Sequence, residues 1–254
     1  MSRETDRAGP GARAGSEPEP GLRGDRAVHA VGVGPGARSY LTGRAREVLG
    51  AADVVVGFET VVDVVRGATD ATLLSCGYDD QEATLERFGD RVASEAGAAV
   101  LMGDPNVSGY QFLGRLEAAV TGPVRVVPGV SSVQVAASRA RTPLERSTIV
   151  SLHRRGSVDT ALADLVAAAG QRHLLVLPRP FDWMPADIAA HLIDRDVDPA
   201  LTALVFERLT LDDEDVSRST LRELAADAGG EGRADSEFSD LSVLVVRATG
   251  DGVD

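Results

Sequence analysis

The chain has 254 residues, 43% of them hydrophobic and 26% charged, and a formal net charge of −13 at pH 7. That length supports one large or two modest domains with a real hydrophobic core, and a single cysteine, Cys76, excludes both an intramolecular disulfide and a zinc site built on thiolates. A chain this acidic repels a phosphate backbone, no basic stripe interrupts the field, and no apolar run reaches the roughly 18–20 residues of a membrane span, so neither nucleic acid nor membrane is expected as a partner.

All 26 basic residues are arginine, which fits either a GC-rich genome or a high-salt cytoplasm. Residues 1–25 are rich in Gly, Pro, Ala, Arg and Glu, lack the apolar core of a secretory signal, and read as a disordered extension; residues 249–254 read as a flexible tail. A reducing cytoplasm is the expected location.

Between these ends, short Val- and Leu-rich runs alternate with helical patterns. Residues 27–33, 53–56, 98–102 and 124–127 read as buried strands, each ending at or near glycine or proline. Leu41, Ala45, Val48 and Leu49 share one helical face with Ser39 placed as its cap, and Leu113, Leu116 and Val120 repeat that spacing. A second set follows, with strands at 148–152, 173–177, 201–206 and 241–246 and helices near 158–169 and 186–193. The alternation predicts an α/β chain with mainly parallel sheets and ligand sites beyond the strand carboxyl ends. Thr142-Pro143 breaks a helical stretch, so the expected units are an N-terminal α/β domain at 26–142 and a C-terminal α/β domain at 143–248.

Three glycine-rich turns follow buried strands. In the first, Gly32-Val-Gly34-Pro35-Gly36, three glycines can take backbone angles closed to other residues. Gly32-x-Gly34-x-x-Ala37 also satisfies a loose dinucleotide fingerprint, with Glu59 about 20 residues further on. Pro35, however, deletes an amide where a pyrophosphate would sit. A ligand turn, a dinucleotide turn and a purely structural turn all stay open on this motif alone. In the second, Met102-Gly103-Asp104-Pro105, Asp104 can accept hydrogen bonds from a ligand or simply begin a turn. In the third, Pro128-Gly129-Val130-Ser131-Ser132, one serine can cap the next helix, and hydroxyls and free amides there also suit a ligand's polar end.

Taken in order, Val31 to Gly36 with Tyr40-Leu41-Thr42, Met102 to Pro105, and Pro128 to Ser132 resemble the tetrapyrrole methyltransferase family over roughly residues 27–247. Pro128 to Gln134 followed by Val150 to Arg155 resembles the branch that methylates the C-5 meso carbon of a cobalt-precorrin; the family usually has a small residue where this chain has Met102, and Gly-aromatic text where it has Asn106 to Tyr110. The resemblance implies two α/β domains enclosing S-adenosyl-L-methionine in a cleft, a homodimer, a corrinoid tetrapyrrole substrate and a partner methylating and decarboxylating at C-15. Carried across, the cofactor contacts are Gly34, Pro35, Gly36, Met102, Gly103, Asp104, Ser131, Ser132 and Leu177.

Methyl transfer needs mainly positioning, because the conjugated macrocycle supplies the nucleophilic carbon, and no catalytic side chain is singled out. The substrate's carboxylates require local arginines to outweigh the acidic field; Arg154, Arg155 and Arg179, just past predicted strands, are candidates, or else solvated loop arginines. His153 can act as a base, contact the substrate through its metal or be purely structural, Glu207 can orient the macrocycle or pair with Arg208, and Phe181 and Trp183 can cover a flat ring or fill the core. No protein metal site is expected, since any cobalt arrives inside the substrate. A sibling acting at another ring position, a Rossmann-type NAD-binding dehydrogenase and a non-catalytic binding module are the alternatives.

Overall fold

The computed structural model describes residues 27–180, 182–229 and 235–250; the N-terminal extension, Phe181 and residues 251–254 lie outside the described residues. Apolar runs without polar alternation suit strands covered on both faces. They form β1 (Val28–Gly32), β2 (Val54–Phe58), β4 (Gly97–Leu101) and β5 (Val124–Val127), joined by β3 (Thr72–Cys76). These strands make one sheet in the order β3-β2-β4-β1-β5, with every pairing parallel. Such pairing requires crossovers, supplied by α1 (Gly43–Gly50), α2 (Glu59–Val65), α3 (Gln81–Val92), the short α4 (Pro105–Ser108) and α5 (Tyr110–Ala119). One face buries Val54, Val56, Phe88 and Leu116, the other Val31, Leu49, Val55 and Val62. Each such side chain contributes about 1.5–3 kcal/mol of burial.

The cap of α1 is Thr42, whose hydroxyl accepts from Ala45 N at 3.1 Å, and not Ser39. Ser39 lies in a separate 3₁₀ turn, Arg38–Tyr40, that delays the helix start by a turn.

The second sheet contains β6 (Ser147–Ser151), β7 (His173–Leu177), β8 (Thr202–Glu207), β9 (Asp215–Thr220) and β10 (Ser242–Val246), in the order β6-β7-β10-β8-β9. Here only β6 and β7 run parallel. Eight to nine is a direct hairpin too short for a crossover, and β10 enters antiparallel between β7 and β8. The chain is therefore α/β as expected, but the second sheet is mostly antiparallel. Helices α7 (Asp159–Ala168), α8 (Pro185–Ile193) and α9 (Leu221–Ala225) build its core around Leu165, Leu174, Ile188, Leu192 and Leu244.

One helix ties the sheets together. α6 (Ser132–Ala140) starts from the end of β5 in the first sheet and lays Val133, Ala136, Ala137 and Ala140 against Leu175, Phe206, Val243 and Val245 of the second.

Candidate functional site

In a parallel sheet the carboxyl ends of adjacent strands lie side by side, so the turns leaving β4, β1 and β5 meet at one edge. The first and second turns bridge each other: Gly103 N donates to Gly34 O at 2.8 Å, and Gly34 N to Gly103 O at 3.3 Å. Gly34 (φ 87°) and Gly103 (φ 65°) both hold left-handed backbone that other residues rarely adopt. The third turn closes on both. A Cβ on Gly32 would stand 2.6 Å from Gly103 O and from Gly129 N, so side chains there would wedge the three turns apart.

Asp104 is the tie between second and third turns. Its Oδ1 accepts from Asn106 N at 2.7 Å and Asn106 Nδ2 at 2.9 Å, and its Oδ2 from Gly129 N at 3.1 Å. Ser131 caps α6 in a reciprocal box: its hydroxyl accepts from Val133 N, while its own N–H donates to Gln134 Oε1 at 2.8 Å. Among the expected cofactor contacts, Asp104 and Ser131 thus hold the turns themselves. Pro35, Met102 and Ser132 are half-buried at the same edge, and Ser132 occupies the first position of α6 without serving as its cap.

The second sheet reaches this edge through the loop between β8 and β9. Thr210 Oγ1 accepts from Ala37 N at 3.0 Å, directly after the first turn, and a Cβ on Gly36 would meet Leu211 Cδ2 at 2.8 Å. Thr210 N donates to Glu214 Oε2 at 2.7 Å, and Glu214 Oε1 accepts from Arg139 Nε of α6 at 3.1 Å. The Thr210 amide above all, with Arg139 as the smaller contribution, holds the Glu214 carboxyl below the usual carboxylate range against the opposing effect of burial. Arg208 (φ 47°) and Thr210 (φ 72°) are non-glycine residues in left-handed backbone, a strained conformation that the surrounding bonds maintain. Nothing in the local sequence marks this loop, because its function rests on backbone angles that Arg and Thr do not advertise.

The remaining candidates sit at the matching end of the second sheet. Leu177 ends β7, accepts from Leu152 N at 2.9 Å and packs in the cluster that joins α6 to the sheet. His153, Arg154 and Arg155 follow β6 and are exposed. The protein packed against the His153 ring nonetheless lowers its pKa, outweighing the opposing pull of Asp240 and a hydrogen bond to the Pro178 carbonyl. Arg179 is engaged: it chelates Asp182, and its Nη1 donates to Gly156 O at 2.8 Å and Arg154 O at 3.4 Å, fixing the loop that carries Arg154 and Arg155. Glu207 is buried, accepting from Ser239 N at 2.6 Å and pairing with Arg208 at 3.5 Å. Trp183 packs against the second core and meets His191 edge-on, with ring centroids 5.0 Å apart. The three turns are therefore brought together, Leu177 joins the adjoining cluster, and the polar candidates sit at the end of β8 or in the segments that follow β6 and β7 of the second sheet.

Among the described residues, no group of three or more His, Cys, Asp or Glu is placed to hold a metal ion, and no helix is long and apolar enough to cross a membrane. A separate open groove along α6, lined by Gln134, Ser138, Arg141, Pro143 and Leu144, meets the third turn through Gln134, whose Oε1 closes the Ser131 box.

Comparison with known proteins bears directly on this geometry. The chain is similar to a probable cobalt-precorrin-7 C(5)-methyltransferase of Methanocaldococcus jannaschii, 26% identical over 86% of this chain and 96% of that one. Part of it is 31% identical to the cobalamin biosynthesis protein CobIJ of Mycobacterium tuberculosis, over 60% of this chain and 31% of that longer protein. Among solved structures, a uroporphyrin-III C-methyl transferase of Thermus thermophilus complexed with S-adenosyl homocysteine superposes with a TM-score of 0.65 at 25% identity, covering 87% of this chain and 92% of that one. A precorrin-6Y methylase of Archaeoglobus fulgidus shares the fold, with a TM-score of 0.62 at 22% identity over 88% and 98% of the two chains. The model of the tetrapyrrole (corrin/porphyrin) methylases matches residues 27–225, and with the three turns closed on one another at the strand ends, the chain belongs to that family.

Proposed function

We propose that this methyltransferase uses S-adenosylmethionine to methylate the C-5 meso carbon of a cobalt-precorrin, taking cobalt-precorrin-6B to cobalt-precorrin-7 in corrin-ring synthesis. The observation that carries the reading is the mutual closure of the three turns under the Thr210 loop. A dinucleotide fold gives the second and third turns no role. Similarity to the Methanocaldococcus relative along nearly the full length of both chains supports the C-5 assignment.

The residues at the edge suit an adenosyl amino acid. A Cβ on Gly103 would stand 3.7 Å from Ser131 Cα and 3.9 Å from Ser132 N, so the absence of a side chain leaves room between the second and third turns. Pro35 and Met102 add half-buried apolar groups to the first and second turns and Ser132 a half-buried hydroxyl to the third, a mixture fitting a ligand with one charged end and one flat ring. When bound, S-adenosylmethionine supplies an electrophilic methyl. The protein's task is to hold it beside the substrate carbon and keep both in line, which accounts for a site built on rigid backbone. In the segment after β6, Arg154 and Arg155 grip substrate carboxylates, Arg179 positions their loop, and Glu207 fixes the segment around Ser239. His153, whose pKa burial lowers, contacts the substrate. The same reading expects a cytoplasmic homodimer, two units dividing at 142/143, and a partner enzyme that methylates and decarboxylates at C-15.

Calorimetric titration with S-adenosylhomocysteine and with NAD tests the cofactor, and carbon-13 NMR of product made with methyl-labelled S-adenosylmethionine tests the position. The homocysteine compound is expected to bind and the label to appear at C-5. Binding of NAD alone would revive a dehydrogenase, label at another carbon would make the chain a sibling methylase, and binding without turnover would make it a sensor or carrier.

A further inference from the structure

The first unit carries aromatic rings that the three turns do not use. Only 4% of the chain is aromatic, yet two of its three tyrosines, Tyr78 and Tyr110, are 68% and 63% exposed. Tyr78 does not stand alone: its ring lies 5.0 Å from Phe58, centroid to centroid, and Phe58 lies 5.6 Å from Phe112. Phe112 is buried, Phe58 half-buried and Tyr78 open, so the rings climb from the core to solvent. Their exposure is built in. Gly77 N donates to Asp80 Oδ1 at 2.7 Å and Thr84 N to Asp80 O at 3.0 Å, pinning the turn that presents Tyr78.

The rings sit beside the candidate site. Phe58 ends β2 two residues past the Val56↔Ala99 pair, which puts it level with Leu101 at the end of β4; Leu101 in turn pairs with Gly32. At a strand spacing of about 4.8 Å, Phe58 is about 5 Å from the strand feeding the second turn and about 10 Å from that feeding the first. Gly109 keeps Tyr110 at the same end, since a Cβ there would stand 2.7 Å from Leu101 Cδ2 and 2.8 Å from Pro105 O.

We propose that Phe58, Tyr78 and Tyr110 form a shelf that receives the conjugated face of the tetrapyrrole and so positions its meso carbon beside the three turns; this rests on the methyltransferase reading above. Rigid aromatic side chains bury large area at small entropic cost and stack on a flat π-system. The exposed acids Glu59, Asp79, Asp80 and Glu82 follow Phe58 and Tyr78 in the chain and repel carboxylates, so the shelf takes the ring face while the acidic arms extend toward Arg154 and Arg155. First unit and second unit then read different chemistry on one substrate.

The test compares wild type, a Tyr78→Ala/Tyr110→Ala variant and a Tyr78→Phe/Tyr110→Phe variant, all at exposed positions that leave the core intact. Cobyrinic acid, a stable cobalt-corrin polycarboxylate, serves as probe through its visible spectrum, and S-adenosylhomocysteine is titrated separately. The alanine variant is expected to bind the corrin about tenfold more weakly, or less tightly still, with KM rising more than kcat falls. Its affinity for S-adenosylhomocysteine stays unchanged, and the phenylalanine variant keeps wild-type corrin affinity. Unaltered corrin binding in the alanine variant, a parallel loss of S-adenosylhomocysteine, or a loss in the phenylalanine variant would each overturn the shelf. A wild-type protein that binds neither compound would instead overturn the methyltransferase reading itself.

Discussion

Gly129 and Gly114 are the same residue type in opposite circumstances. A Cβ on Gly129 would lie 2.8 Å from Gly32 Cα and closer still to the Gly103 carbonyl, all backbone that cannot step aside. Gly114 sits in α5 with nothing within 4 Å. Gly129→Ala is therefore expected to destabilise by about 3 kcal/mol and abolish S-adenosylhomocysteine binding. Gly114→Ala should stabilise by about 0.5–1 kcal/mol, as thermal melting of the two variants will show. Cys76 offers a third measurement at this scale. Burial, then the nearby Asp80 charge, pushes its thiol up to about 11, so alkylation by iodoacetamide at pH 8 is expected only on unfolding, read by mass spectrometry. The glycines and Asp104 were legible in the sequence because turn chemistry has residue signatures. That Asp104 ties Gly129 was not, since a carboxylate's partner 25 residues away has no local trace.

α6 shows what a helix start can carry. Its cap is at once the third turn of the candidate site and the anchor of a helix whose apolar face belongs to the other sheet. Ser131→Ala removes the hydroxyl from the reciprocal box and should cost about 1 kcal/mol, measured by chemical denaturation, with weaker S-adenosylhomocysteine binding as the third turn loosens. Elements with continuous apolar runs, such as β1, β5 and β7, were readable to within a residue because two-sided burial leaves that pattern. β3 and β9 were not. β3 is an edge strand with Thr72 and Ser75 exposed, and β9, Asp-Val-Ser-Arg-Ser-Thr, closes the far edge with Val216 52% exposed. Edge strands bury one face at most and are specified by their neighbour's hydrogen bonds, which sequence periodicity does not record.

Across the whole molecule, the Arg139–Glu214–Thr210–Ala37 chain is a connected run of polar contacts that links the first turn and α6 to the loop between β8 and β9. Because the folded protein depresses the Glu214 pKa below 4.5, the carboxylate's contribution is complete above that value and fades as pH falls through the lower, folded-state pKa. Glu214→Gln keeps an acceptor but loses the charge. Its melting temperature should lie below wild type at pH 7, and the gap should close as the pH falls through the depressed, folded-state pKa. The parallel first sheet and overall α/β class followed from strand and helix alternation; the antiparallel second sheet did not, since strand direction is set by loop length and long-range pairing. The shared helix has a final consequence. A molecule that docks against the turn opening α6 pulls on the keel of the opposite lobe, so its binding energy is distributed over both halves. Calorimetry should accordingly record one cooperative melting peak, moved upward as a unit by saturating S-adenosylhomocysteine, where two independently folded lobes would split into separate peaks with only one responding.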